Sequence, residues 1–62
     1  MTAEMLIPEK EIIKELGRII HGTPEERDII RKRAAAKISR DMGLTGRLEV
    51  TRRKNGYFVR TL

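Results

Sequence analysis

The fold is decided by residues 23–42, which read TPEERDIIRKRAAAKISRDM. Thr23 is a helix-capping residue, and Pro24 suits the first position inside a helix. Glu26 stands three residues after Thr23, the spacing of a capping box. These signals predict a helix that begins at Thr23 and runs for about five turns at 3.6 residues each.

The same stretch predicts where this helix ends. Gly43 follows it as a candidate left-handed C-cap, and Leu44 is placed to make the hydrophobic contact of a Schellman motif. One apolar stripe repeats every fourth residue, and we expect it to pack on a preceding helix: Ile30, Ala34, Ile38 and Met42. Arg27 and Arg31 flank the stripe, and we expect their heads to meet carboxylates of that helix. Ile29 lies off the stripe and needs cover from the later strands or from a second subunit.

A first amphipathic helix precedes this one. Pro8 opens it, and its apolar residues have the spacing of a single buried face: Ile12, Ile13, Leu16, Ile19 and Ile20. We expect Gly22 to end it, which places His21 in the last turn, where a cationic side chain suits the helix dipole. The short connection to Thr23 predicts an αα-hairpin.

From Arg47 the apolar period changes from helical to alternating. Two strand-like runs, RLEVTRR and YFVRTL, flank Lys54-Asn55-Gly56, and Asn-Gly is the strongest short-range signal for a β-hairpin. A two-residue type I′ turn would leave Phe58 and Leu62 on one face and group four apolar residues on the other: Leu48, Val50, Tyr57 and Val59. A three-residue loop with a bulge at Gly56 would instead group Leu48, Val50, Phe58 and Leu62. We prefer the two-residue turn for its turn chemistry.

Together these patterns predict an α+β fold, in which an αα-hairpin is followed by a C-terminal β-hairpin in one small domain over residues 8–62. Residues 1–7 have no cap and no helical period, so we expect a loose N-terminal arm. A winged helix-turn-helix ranks lower, because it would need a third helix before the hairpin. A chain of 62 residues buries only about 60% of its unfolded surface, and this one has no cysteine to crosslink it. We therefore expect a homodimer.

Composition narrows the location and the class of function. No apolar run approaches the roughly 20 residues that span a bilayer, and no signal-peptide pattern is present, so we expect no membrane association and a cytoplasmic protein. The chain has one histidine, one serine and no cysteine, and no glycine-rich phosphate loop. These residues suit neither a nucleophilic triad nor a thiolate metal site. We expect no enzyme, no cofactor and no metal.

Charge is divided unequally along the chain. Residues 1–30 carry a balance of −3, whereas residues 31–62 carry ten basic residues and two acidic ones, a balance of +8. Arginine outnumbers lysine nine to five, and its planar fork suits phosphate. Such asymmetry favours an anionic partner, most commonly nucleic acid. The predicted contact residues lie on the second helix and in the hairpin: Arg33, Lys37, Arg40, Arg47, Arg52, Arg53, Lys54 and Arg60.

The kind of nucleic acid follows from the aromatic content. Tyr57 and Phe58 are the two aromatic residues, and single-strand readers usually need several stacking platforms, so duplex DNA is favoured over RNA. We expect an architectural or regulatory protein that contacts duplex DNA mainly through phosphates. The alternative is a protein-binding regulator or inhibitor that docks its basic hairpin on an acidic partner. An RNA- or ribosome-associated factor is a third interpretation of the same charges.

Overall fold

A computed structural model describes residues 3–18 and 21–62. Its elements follow in the order β1 (Glu4–Pro8), α1 (Glu9–Leu16), α2 (Pro24–Asp41), β2 (Leu48–Arg53) and β3 (Gly56–Thr61). The strands form one antiparallel sheet in the order β1-β3-β2, and both helices contact it. The chain is thus a small α+β domain with two helices and a three-stranded sheet in its described part, and the predicted C-terminal β-hairpin is confirmed.

The signals that predicted α2 are confirmed at both ends. The Glu26 N–H donates to Thr23 Oγ1 and the Thr23 N–H donates to Glu26 Oε1, each at 3.2 Å, which completes the capping box. At the other end the Gly43 N–H donates to the Arg40 carbonyl and the Leu44 N–H to the Ser39 carbonyl, both at 3.0 Å. These two bonds define a Schellman motif. Gly43 has a φ of 110°, and Leu44 is buried.

The face that α2 buries differs from the predicted stripe. Ala34 is buried as expected, but the other buried residues of α2 are Ala35 and Ser39. Ile30 is 42% exposed and Met42 66% exposed, so the prediction that the whole stripe is buried against a preceding helix is wrong. The sheet accounts for the difference, because it contacts α2 as α1 does and turns the buried side towards Ala35 and Ser39. No described element supplies the cover expected for Ile29, which is exposed.

Helix α1 is shorter than the periodicity predicts. It ends at Leu16, and the Gly17 N–H donates to the Ile13 carbonyl at 2.6 Å, with a φ of 72° at Gly17. The expected end at Gly22 and the place of His21 in the last turn are therefore wrong; His21 lies exposed in a bend. Gly17, Arg18 and residues 21–23 lie outside both helices, so α1 and α2 are further apart in the sequence than a short αα-hairpin turn requires. Predicted positions Ile19 and Ile20 lie outside the described residues.

Residues 4–7, expected to belong to a loose arm, form part of β1. This strand pairs with β3, with Met5 opposite Val59 and Ile7 opposite Tyr57. Ile7 is buried in the core with Val59. The sequence could not show this pairing, because strand β1 is short and its partner lies about 50 residues further along the chain.

The β2–β3 hairpin has the predicted face and the predicted two-residue loop, but not the predicted turn type. Val50 lies opposite Val59 and Arg53 opposite Gly56, so the loop is Lys54-Asn55. The predicted apolar face is confirmed, since Leu48 and Val50 share the core side with Tyr57 and Val59. A type I′ turn is wrong, because it requires positive φ at both loop residues and neither has it.

Gly56 is needed for a reason other than the turn. It lies opposite Pro8 of β1, and a Cβ atom built on it would overlap the Ile7 carbonyl oxygen and lie 3.0 Å from Pro8 Cα. Its φ is 153°. Glycine at this position therefore lets β1 approach β3 closely enough to complete the sheet.

Candidate nucleic-acid interface

The three predicted contact residues of α2 lie on its exposed side. Arg33, Lys37 and Arg40 are all exposed, and their helical positions are roughly opposite the line of Ala35 and Ser39 that faces the sheet. Lys37 also forms an ion pair with Glu15 of α1, and this hydrogen bond is the main cause of the raised pKa of its ammonium. Arg33 and Arg40 therefore carry the free positive charge of this side.

The predicted contact residues of the hairpin point in several directions. Arg53 and Arg60 lie on the sheet face turned away from α2, as the alternation along β2 and β3 requires. Arg60 pairs with Glu49 at 2.9 Å, and the Arg53 guanidinium lies 5.2 Å from the centre of the Phe58 ring. Arg52 alternates with Arg53 and projects on the α2 side. Arg47 precedes β2 and is exposed.

The eight predicted residues therefore do not form one continuous surface. The α2 set lies on one outer side of the domain, and Arg53 and Arg60 lie on the other side of the sheet. The residues that the structure does bring together surround a cavity of about 40 Å³ beside the hairpin turn. We call three of the lining cations the tip cluster: Arg31, Arg52 and Lys54. Arg53 also lines the cavity, but its guanidinium lies over Phe58 on the opposite sheet face. Glu9, Gly56 and Tyr57 complete the cavity lining.

Arg31 is the member of the tip cluster that sequence reasoning missed. Its head was expected to meet a carboxylate of α1. The ion pairs of the described residues are instead Lys32–Asp28, Lys37–Glu15 and Arg60–Glu49. Arg31 lines the cavity together with Glu9, without an ion pair to it. The sequence feature that could have identified Arg31 is its position one helical turn before Ala35, on the side of α2 that faces the sheet.

A partly buried hydrogen bond joins α2 to the sheet beside the tip cluster. The Tyr57 hydroxyl donates to Asp28 Oδ1 at 3.0 Å, and Lys32 pairs with Asp28 Oδ2 at 3.1 Å. Burial and the bond to Asp28 raise the pKa of Tyr57. Burial alone would raise the pKa of Asp28, but the bonds from Lys32 and Tyr57 outweigh it and lower that pKa. Arg52 lowers both pKa values by its charge, so its head lies near this pair.

A second candidate surface is an apolar groove along β1. Its volume is about 400 Å³, and it is lined mainly by apolar side chains: Met5, Leu6, Ile7, Pro8, Ile38 and Met42. Strand β1 is an edge strand of the sheet, with β3 on one side only. The groove and the open strand edge therefore lie next to each other.

Residues 3–18 and 21–62 contain no group of three or more histidine, cysteine or acidic side chains placed to hold a metal ion. None of their helices combines the length and the apolar character that a bilayer span requires. Comparison of the chain with models of protein families, with curated proteins and with solved structures found no match.

Proposed function

We propose that this protein binds duplex DNA, mainly through phosphate contacts, in an architectural or regulatory role. The observation that carries the proposal is the tip cluster, in which three cations from α2 and the hairpin line one cavity with a single carboxylate, Glu9. Like charges around one cavity repel each other, so an anion bound among them lowers the free energy of the site. Arginine forks match the geometry of phosphate oxygens.

The two sides of α2 and the hairpin would then have different tasks. The tip cluster supplies the principal contacts, while Arg33 and Arg40 form a separate basic surface on the outer side of α2. Lys37 and Arg60 contribute less, because each already pairs with a carboxylate. Each phosphate contact adds about 0.9 to the slope of log affinity against log salt for duplex DNA. We therefore expect a slope near 3 from the tip cluster, before any contribution of Arg33 and Arg40.

The state of the aromatic residues supports a duplex over a single strand. Tyr57 is buried and its hydroxyl is bonded to Asp28. Phe58 is partly buried and lies under the Arg53 guanidinium. Neither ring is a free platform for an unstacked base, which sequence-tolerant binding of single strands requires.

The test is fluorescence anisotropy of a random-sequence DNA duplex titrated with the protein at low and moderate salt. We expect micromolar affinity that falls steeply with salt. The triple variant Arg52→Glu, Arg53→Glu, Lys54→Glu should abolish binding and keep the circular dichroism of the native protein. The matched control reverses three exposed cations around α1, Lys10→Glu, Lys14→Glu and Arg18→Glu, and changes the net charge equally.

The outcomes separate the possibilities. Loss of binding in the tip variant with little change in the control supports the proposal. Equal losses in both variants would show that net charge alone, and not the tip cluster, attracts DNA. Absence of binding to the wild type even at low salt would overturn the proposal.

We also propose that the protein is a homodimer, joined through the open edge of β1. Backbone bonds from Thr61 to Ala3 and from Glu9 to Asn55 show which residues of the strand face β3. By the alternation of an antiparallel ladder, Met5 and Ile7 direct their N–H and C=O groups towards β3. Glu4, Leu6 and Pro8 direct theirs towards the open edge, where the missing N–H of Pro8 does not interrupt the sheet.

This edge is complementary to a second copy of itself. With Leu6 opposite Leu6 of the other copy, the two leucines exchange two hydrogen bonds. Each Glu4 N–H then meets a Pro8 carbonyl, because the pairing is antiparallel. The exposed Leu6 side chains of the two copies become neighbours, and the second copy covers Met42 in the adjoining groove. A small domain near its stability limit gains core from such an association.

The same edge supports the second candidate function, a regulator that binds a protein. An extended peptide could add to β1 as a fourth strand, with its apolar side chains in the groove. Such binding would depend little on salt, in contrast to phosphate binding.

A further inference from the structure

We propose that the cavity at the hairpin turn is a specific binding site for one phosphate group, which bridges α2 and the β2–β3 hairpin. The inference deepens the proposed function and rests on it only for the source of the phosphate. A free phosphate ion and a phosphate of the DNA backbone share this chemistry.

The size of the cavity suits one small anion. A single water needs roughly 10–15 Å³ of such space. The cavity of about 40 Å³ therefore holds a few water-sized centres, which is enough for the oxygens of one phosphate but not for a nucleotide. It is open on one side, so a phosphate that is part of a longer chain can enter.

The charges around the cavity favour an anion from two directions. Arg31 approaches from α2, whereas Arg52 and Lys54 approach from the hairpin. Helix α1 begins at Glu9, so the positive end of its dipole also lies at the rim. The Glu9 carboxylate opposes an anion, but it is one negative charge among three positive side chains.

The site is held in place by contacts that do not themselves need the anion. The Tyr57 hydroxyl bonds to Asp28 and ties β3 to α2 next to Arg31. The Glu9 N–H donates to the Asn55 carbonyl of the turn at 3.3 Å. These contacts fix the backbone positions from which the cationic side chains extend, so the fold itself places the cations around the cavity.

The cations of the tip cluster have different roles in binding the phosphate. Arg31 is the critical residue, because it alone supplies the α2 side of the bridge. Lys54 lies in the loop, where its exposed side chain can follow the anion. A phosphate bound between them would restrain the hairpin relative to α2. We therefore expect phosphate to raise the melting temperature of the protein.

The first experiment measures that melting temperature in inorganic phosphate and in sodium chloride of equal ionic strength. Backbone amide shifts are followed in parallel by NMR. We expect phosphate, but not chloride, to raise the melting temperature and to move the amide signals of Lys54 and Gly56. No difference between the two salts in the wild type would overturn the proposal.

The matched variants lie on the same helix. Arg31→Gln should weaken phosphate binding about tenfold or more, the value of one charge-assisted bond. Arg33→Gln removes the same charge on the exposed side of α2 and should leave phosphate binding unchanged. Equal losses in both variants would overturn the assignment. If Arg31→Gln does not fold, Lys54→Gln in the exposed loop provides the same comparison.

The source of the phosphate is tested separately with duplex DNA. Competition between inorganic phosphate and a duplex, lost in Arg31→Gln, supports a backbone phosphate as the natural occupant. Phosphate binding without any DNA binding would leave the site standing and refute the proposed function. DNA binding that persists while the wild type shows no phosphate effect would refute the site and leave the proposed function standing.

Discussion

Replacement of Gly56 by alanine should detach strand β1 from the sheet. The added Cβ would overlap the Ile7 carbonyl oxygen and would lie 3.0 Å from both the Ile7 carbonyl carbon and Pro8 Cα. All three neighbours are backbone atoms, so no side-chain rotation can relieve the overlap. The strands must move apart, and the ladder between β1 and β3 weakens along its length.

The magnitude follows from what β1 contributes. Ile7 is 2% exposed, and burial of such a side chain stabilises by about 1.5–3 kcal/mol. Each backbone hydrogen bond of the ladder adds a net of about 0.5–1.5 kcal/mol. Loss of Ile7 burial with two or three bonds therefore costs about 2.5–7.5 kcal/mol, a large part of the stability of a small domain. A loss of 3 kcal/mol lowers the melting temperature by about 12–24 °C at this size.

Thermal unfolding followed by circular dichroism measures this loss, with Gly46→Ala as the control. Gly46 also has a positive φ, 83°, but a Cβ there meets nothing within 4 Å. Only left-handed strain remains in that variant, about 1–2 kcal/mol. Gly56→Ala should also expose the Met5 and Ile7 amides to hydrogen exchange. Equal losses of stability in the two variants, with protected Met5 and Ile7 amides, would refute the close-approach argument.

Three further predictions concern the N-terminal cap of α2, the partly buried carboxylate of Asp28 and the open edge of β1. Thr23→Ala should lower the free energy of unfolding by about 1 kcal/mol in urea titrations, because it removes the capping box. Thr45→Ala in the exposed loop should change that free energy little. Equal effects of the two variants would contradict the cap assignment. Because the pKa of Asp28 is lowered in the folded state, its contribution to stability is present above its ordinary pKa of 3.8 and is lost as the pH falls through the folded value. Asp28→Asn should therefore lose less stability than the wild type as the pH falls. Identical acid unfolding curves for the two proteins would contradict this prediction. Leu6→Lys should convert the dimer into monomers in sedimentation equilibrium without loss of helix. Leu62→Lys, also at an exposed apolar residue, should leave the dimer intact. A wild type that sediments as a monomer at high micromolar concentration would refute the dimer, and the open edge of β1 would then be a site for a protein partner.

The elements with local signals could be predicted from the sequence. Thr23, Glu26 and Gly43 act within one or two turns of their own positions, so the cap and the Schellman motif of α2 follow from spacing alone. The alternation of Leu48 and Val50 with Tyr57 and Val59 likewise predicts the core face of the hairpin. Its turn was misplaced because Asn-Gly is typical of type I′ turns, whereas Gly56 here serves contact with β1.

The candidate site could be predicted only in part. The run Arg52-Arg53-Lys54 shows in the sequence that the hairpin end is basic. The sequence does not show that Arg31, about 20 residues earlier, meets this run, nor that Arg33 and Arg40 face away from it. Helical spacing gives the angle between two residues of α2, but not the side on which the sheet packs.

The sequence by itself determined the limits of α2, the presence of the hairpin and the positive charge of the second half, because capping, alternation and composition are local properties. Only the tertiary structure decided the pairing of β1 with β3, the early end of α1 and the gathering of the tip cluster. Each of these depends on contacts between residues far apart in the chain. Such contacts are selected by how well whole surfaces pack, and no short stretch of residues contains that information.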